Sequence, residues 1–193
     1  ITIPFDNAIQ NIVKTYSVVT IDDKLKSFVN THTIQGANKS YFNELFSSST
    51  TDDVRTKDFE KNFNNQLKKV VSLQSVKLIS NEIFDEEITF ESKFSISESL
   101  QKVGSLKITE IPFIDNVYTR DIIATETRKY DIQYIDYESS NQYDSEVILN
   151  IPSDKSFSEI PENKTFNFQN HKYSITYQLI NKNSLKVNRK VII

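Results

Sequence analysis

Few side chains in this sequence are suited to acid–base or nucleophilic chemistry, and their spacing limits what they can do. The chain has no cysteine and only two histidines, His32 and His171. Without cysteine there is no thiolate nucleophile, zinc thiolate, iron–sulfur ligand or disulfide. Two histidines that hold a metal on a helix stand at i and i+4, and neither histidine has a companion at such spacing. Each therefore reads as a solvent-facing strand or turn residue and not as a base or ligand. Carboxylates are adjacent at Asp22 and Asp23, Asp52 and Asp53, and Glu86 and Glu87. Glycoside hydrolysis needs two carboxyl groups facing one another across a substrate. Adjacent strand residues point to opposite faces, so these pairs read as turn formers, helix N-terminal charges and a charged strand start. No segment places Asp or Asn at alternate positions before a glycine, as a calcium loop does. Gly36 and Gly104 are the only glycines, too few for a phosphate-binding loop or a nucleophile elbow. These readings name no catalytic, cofactor-binding or metal-binding residue, and no cofactor.

Among nine tyrosines, Tyr130, Tyr134, Tyr137, Tyr143, Tyr173 and Tyr177 could build an aromatic platform for a sugar or a partner. Their period-two placement turns most of them toward a core, with Tyr137 in the opposite phase and exposed. The Asn38 and Asn163 sequons fit chance in so Asn-rich a chain.

The elements that would position these residues are mostly strands. Ile88, Phe90, Phe94 and Ile96 alternate with Thr89, Glu91, Lys93 and Ser95, the pattern of a half-buried strand. Similar alternation runs through Tyr130, Ile132 and Tyr134; Tyr143, Val147, Leu149 and Ile151; Tyr173, Ile175, Tyr177 and Leu179; and Leu185, Val187 and Val191. Asn181 to Asn183 make a hairpin turn between the last two strands. Ile9 to Thr20 and Leu25 to Ile34 form an opening hairpin around Asp22 and Asp23. Between Asn38 and Val71 the period becomes helical. Tyr41, Phe42, Leu45 and Phe46 share one face, and Phe59, Phe63, Leu67, Val70 and Val71 share another. Ser47 to Thr51 separate the two helices, and Thr50 with Asp53 makes a capping box for the second.

The expected fold is mainly β or α+β: antiparallel, sandwich-like sheets with a two-helix insertion near residues 38–71. Alternation stops around Pro112 to Val117, which divides the chain into residues 1–115 and 116–193. A length of 193 residues suffices for a core without staples. The net charge of −3, from 23 basic and 26 acidic residues, leaves no footprint for nucleic acid. Apolar runs such as Ile111 to Ile114 fall far short of the roughly 20 residues of a membrane span. The sequence opens at Ile1 with neither an initiator Met nor a signal peptide, as a processed or excised piece would.

Several segments together resemble the β-rich C-terminal region of Bacteroidetes-type transglutaminase-like proteins. In these a β-rich N-terminal domain and a papain-like transglutaminase core precede that region. The similar stretches are Val18 to Gly36, the helical segment with Arg55, Thr127 to Tyr134, Val147 to Pro152, Ser158 to Pro161, and the closing strands Tyr173 to Tyr177 and Leu185 to Arg189. The family's catalytic Cys, His and Asp belong to the core, so none transfers to this Cys-free chain. The family's further helical segment after the last strand pair has no counterpart before Ile193. The resemblance implies an extracytoplasmic, periplasmic or cell-surface location. It also implies a non-catalytic accessory domain that packs beside or orients an adjacent transglutaminase-like core. The rival is a surface module that binds glycan or protein through an exposed sheet face or loop rim. An independent carboxylate hydrolase would require two carboxyl groups converging in a cleft.

Overall fold

The computed structural model describes residues 11–36, 38–81, 86–115, 141–169 and 171–193. Strands β1 (Asn11–Ile21) and β2 (Leu25–Gln35) form the expected hairpin. Its turn closes as Asp22 N donates to Leu25 O and Asp23 N donates to Asp22 Oδ1, the local bonding that suits aspartate to turns. Helices α1 (Lys39–Leu45) and α2 (Asp52–Leu67) follow, then β3 (Val71–Ser80) and β4 (Glu87–Ser97). A short ribbon, β5 (Gln101–Val103) and β6 (Leu106–Ile108), turns at Gly104, whose φ of 61° is in the left-handed region. The chain closes with β7 (Asn141–Asn150), β8 (Lys164–Phe168), β9 (His171–Asn181) and β10 (Ser184–Ile192).

Eight strands form one sheet in the order β3-β4-β2-β1-β7-β10-β9-β8. The described residues are β-rich with two helices, as the periodicity predicts. Not every pairing is antiparallel, however. β1 runs parallel to β7, with Ser17 opposite Val147 and Val19 opposite Leu149. This ladder joins two antiparallel four-stranded units, one from each side of residue 115. A parallel pair needs a long crossover, and the chain from β2 to β6 lies in that crossover. Among the described residues, helices and not a second large sheet cover the inner face over β2, β3 and β4.

That cover is aromatic. Phe28, Phe90 and Phe94 rise from the sheet, and Phe42, Phe46, Phe59 and Phe63 descend from the helices. Phe63 lies 4.8 Å from Phe94 and Phe59 lies 5.3 Å from Phe90, centroid to centroid. Aromatic pairs at such spacing add to the burial free energy of large apolar rings. Phe59 and Phe63, four residues apart on α2, are both buried, as helical spacing requires.

The helix boundaries differ from the sequence expectation. Thr51, not Thr50, caps α2, its Oγ1 accepting from Val54 N at 3.4 Å. The Thr50 hydroxyl is already engaged, donating to Glu44 O at the end of α1. Asp52 and Asp53 lie in the first turn of α2, where the helix dipole favours them. Lys68 adopts φ 53° and stops the helix, so Val71 opens β3 and Val70 is exposed instead of joining the apolar stripe. Tyr41 also leaves the apolar face of α1; it is exposed, and its hydroxyl accepts from Asn62 Nδ2. β3 is interrupted by bulges near Leu73/Ser75 and Leu78/Ser80, which protect an edge strand from further pairing. The expected strand at Tyr130 to Tyr134, Tyr137, Ile9, and Asn116 with Val117 lie outside the described residues. No described helix is long and apolar enough to cross a membrane.

The docking of α2 is testable. Phe63→Ala should lower stability by about 3–5 kcal/mol, the usual cost of emptying a buried aromatic site, measured by urea unfolding. A loss within about 0.5 kcal/mol, typical of exposed positions, would show that the helix is not docked by this ring.

Candidate functional site

The sheet presents two polar sites, one on each face. On the inner face, register aligns Arg189, Ser145, Thr15, His32 and Phe90 across β10, β7, β1, β2 and β4. The neighbouring row places Ser17, Asn30 and Ser92 side by side. His32 is buried, contrary to the solvent-facing role expected for it, whereas His171 is exposed at the start of β9. The reason is parity: His32 shares its phase with Phe28 and Ile34. Its ring stacks on Phe90 at 4.4 Å and faces Phe63 at 5.9 Å.

Ser92 Oγ lies 2.9 Å from His32 Nε2 and accepts from Asn30 Nδ2 at 3.1 Å. A serine beside a histidine could suggest a nucleophile and its base. Here both are sealed beneath the helices, and no described carboxylate contacts the imidazole. Neither of the two grooves described in this structure is lined by them. Burial pushes the His32 pKa down to about 3, because a charged imidazole loses its hydration in this setting. The contacts fit a neutral, hydrogen-bonded core histidine.

A second buried group fastens the segment at 111–115. The Asp115 carboxylate accepts from Ser145 Oγ and pairs with the Arg189 guanidinium, which also lies 3.8 Å over the Phe113 ring. Burial lowers the Arg189 pKa to about 10, so it stays charged at neutral pH and Asp115 is its counter-ion. Buried charges need such pairing. Near the open end of the helix layer, Glu98 receives Lys69 at 2.6 Å and Lys26 at 2.9 Å. Those hydrogen bonds, with Lys69 first, hold its carboxyl below the usual range.

The outer face carries a groove of about 470 Å³ crossing β2, β1, β7, β10 and β9. One row holds Thr33, Lys14, Asp144, Lys190 and Ser174; the next holds Thr31, Tyr16, Glu146, Asn188 and Thr176. Asp144 takes a hydrogen bond from Gln142 at 2.6 Å and has Lys190 Nζ at 3.7 Å. Glu146 is paired with Lys186 at 2.5 Å. Tyr16 stands at the centre, 44% exposed.

The carboxylate pairs noted in the sequence do not converge. Asp22 and Asp23 occupy the β1–β2 turn, with Asp23 bonded to Lys107. Asp52 and Asp53 pair with Arg55 and Lys57 on α2. Glu86 accepts from Gln35 at the entry to β4. Among the described residues, no three His, Asp or Glu side chains gather as metal ligands would. Of the tyrosines, Tyr143 is buried and Tyr173 and Tyr177 are half-buried on the inner face. Asn163 Oδ1 accepts from Tyr177 N, and Asn38 precedes α1. Ser92, Ser145 and Arg189 were not singled out by sequence, although each is a polar residue in the apolar phase of its strand. Asp144, Glu146 and Tyr16 were missed because alternation marks the outer face only as polar. Compared with protein-family models, curated proteins and solved structures, the chain matches none.

The buried imidazole sets a pH dependence. Unfolded, His32 takes a proton near pH 6.5; folded, only near pH 3. Between these values the unfolded state binds the extra proton, so stability falls as pH drops from 6.5 and the loss is complete near 3. The slope approaches a tenfold change in the folded-to-unfolded ratio per pH unit. Between pH 6.5 and about 5, above the ordinary carboxylate range, the urea midpoint of the protein should fall, and in His32→Phe this slope should flatten. An equal slope in the variant would assign the proton to another group.

Proposed function

We propose that this chain is a non-catalytic accessory domain that packs against a neighbouring domain of the same polypeptide. On the resemblance to transglutaminase-like proteins, that neighbour would be a transglutaminase-like core and the location extracytoplasmic. The lack of cysteine fits this reading, since a thiolate acyl-transfer site cannot be built here. Nucleic acid is not an expected partner of a chain with net charge −3.

The observation that carries the reading is an apolar patch at the β8 end of the sheet. Phe166 is 61% exposed and Phe168 70%. Phe166 aligns with Tyr173 and Phe168 with His171, on the same face as the core. The helix layer packs at the opposite end, over β3 and β4. Contiguous exposed aromatic surface of this kind marks an interaction site. β8 is also an edge strand, so its free backbone groups add hydrogen-bonding capacity to the patch. Contacts between domains of one chain commonly bury about 600–1,500 Å², a scale that a patch of this kind can anchor.

The test compares hydrogen exchange of residues 1–193 alone with the same residues in the full gene product. Amides of β8 and β9 should gain protection in the longer protein, and Phe168→Ser should remove the gain. Identical exchange in both forms would make the domain an independent bead, and the ligand-binding reading would then stand in its place.

A further inference from the structure

We infer that the groove on the outer face is a binding site for a neutral oligosaccharide. This site is separate from the apolar patch, so either assignment can fail without the other. The groove spans five strands, about 19 Å at ordinary strand spacing, and its volume of about 470 Å³ lies within the range of ligand sites.

Its chemistry selects the ligand. Lys14, Tyr16, Thr31, Ser174, Thr176 and Asn188 line it, and the side chain of none of them hydrogen-bonds to a described residue. They are ready donors and acceptors at alternate positions along the strands. Tyr16 offers an exposed ring with a polar tip at the centre, a surface suited to the apolar face of a sugar ring. Lys190 lies 3.7 Å from Asp144 and Lys186 2.5 Å from Glu146, so both carboxylates have lysine partners and Lys14 is left as a single positive charge at the rim.

Other classes of ligand fit less well. A phosphate polymer would meet the two carboxylates at the middle of its path. A metal ion would have to displace the lysines that already neutralise those carboxylates. An extended peptide gains its main-chain hydrogen bonds at a sheet edge, whereas backbone groups under this groove are spent in the ladders of β1, β7 and β10. An apolar ligand would find one ring and no enclosing wall. A chain of hydroxyls can use every free group present.

The experiment is affinity electrophoresis of the intact chain through gels containing soluble mixed-linkage β-glucan, xylan, galactomannan or dextran, with polygalacturonate as the charged comparison. At least one neutral polymer should retard the protein, and the retardation should persist in about 0.5 M NaCl, where exposed charge–charge attraction is screened. Tyr16→Ala should weaken binding about tenfold or more, with an unchanged circular dichroism spectrum. Asn188→Ala, which leaves the ring in place, should weaken it by a smaller factor. No retardation by any neutral polymer would overturn the inference. So would retardation by polygalacturonate alone that salt abolishes, or equal retardation of the protein and Tyr16→Ala.

Discussion

The strands of this sheet have two sides, and every other feature of the molecule follows from how the chain assigns residues to them. Successive side chains point to opposite faces, so a slip of one residue would exchange the faces entirely. Phe28, Phe90 and Phe94 would then meet water, and Lys14, Glu91 and Asp144 would turn to the core face. The buried aromatic cluster and the exposed polar groove are thus two consequences of a single register. The β1–β7 ladder carries this constraint furthest, because among the described strand pairings it alone aligns the two antiparallel units. Ser17 and Val147 on one side, and Tyr16 and Glu146 on the other, are brought together only by that pairing.

The inner face is not uniformly apolar, and most of its polar members pair with one another, while Ser17 Oγ, Asn30 Oδ1 and Arg189 Nε are buried with no hydrogen-bond partner among the described residues. Ser92 reaches both Asn30 and His32. Asp115 reaches both Ser145 and Arg189. Each group joins segments distant in the chain, the first linking β2 to β4 and the second linking the 111–115 segment to β7 and β10. Half-satisfied networks of this type are costly, so each also discriminates against alternative registers. The helices complete the arrangement through Phe63, which contacts both His32 and Phe94. Acid sensitivity at His32 and dependence on Phe63 are therefore two expressions of the same contact layer.

Local pattern revealed the strands but not their partners. Ile88, Phe90, Phe94 and Ile96 read correctly because each residue's exposure depends on its own parity. The parallel pairing of β1 with β7 was illegible, since alternation carries no record of which strand lies alongside. β3 went unread beyond Val71, which fitted the helical stripe, because its bulges break the alternation near Leu73 and Leu78. Thr50 and Thr51 are equally good caps by type, and only the hydroxyl's competing bond to Glu44 O separates them. His32 was assigned to solvent because it has no metal or base companion, though its parity with Phe28 and Ile34 already pointed inward. The outer groove lay beyond reach because its polar residues come from five strands whose order is set by tertiary pairing.

The parallel ladder is best tested by cross-linking, which the absence of native cysteine makes unambiguous. Val18 and Ile148 are register partners in adjacent strands, within the separation that a disulfide spans. Val18→Cys combined with Ile148→Cys should oxidise to an intramolecular disulfide in the folded protein. Val18→Cys with Glu146→Cys or with Asn150→Cys, one pleat away on the same face, should remain reduced under the same conditions. A disulfide that forms preferentially at Glu146 or Asn150 would contradict the register on which both faces of the sheet depend.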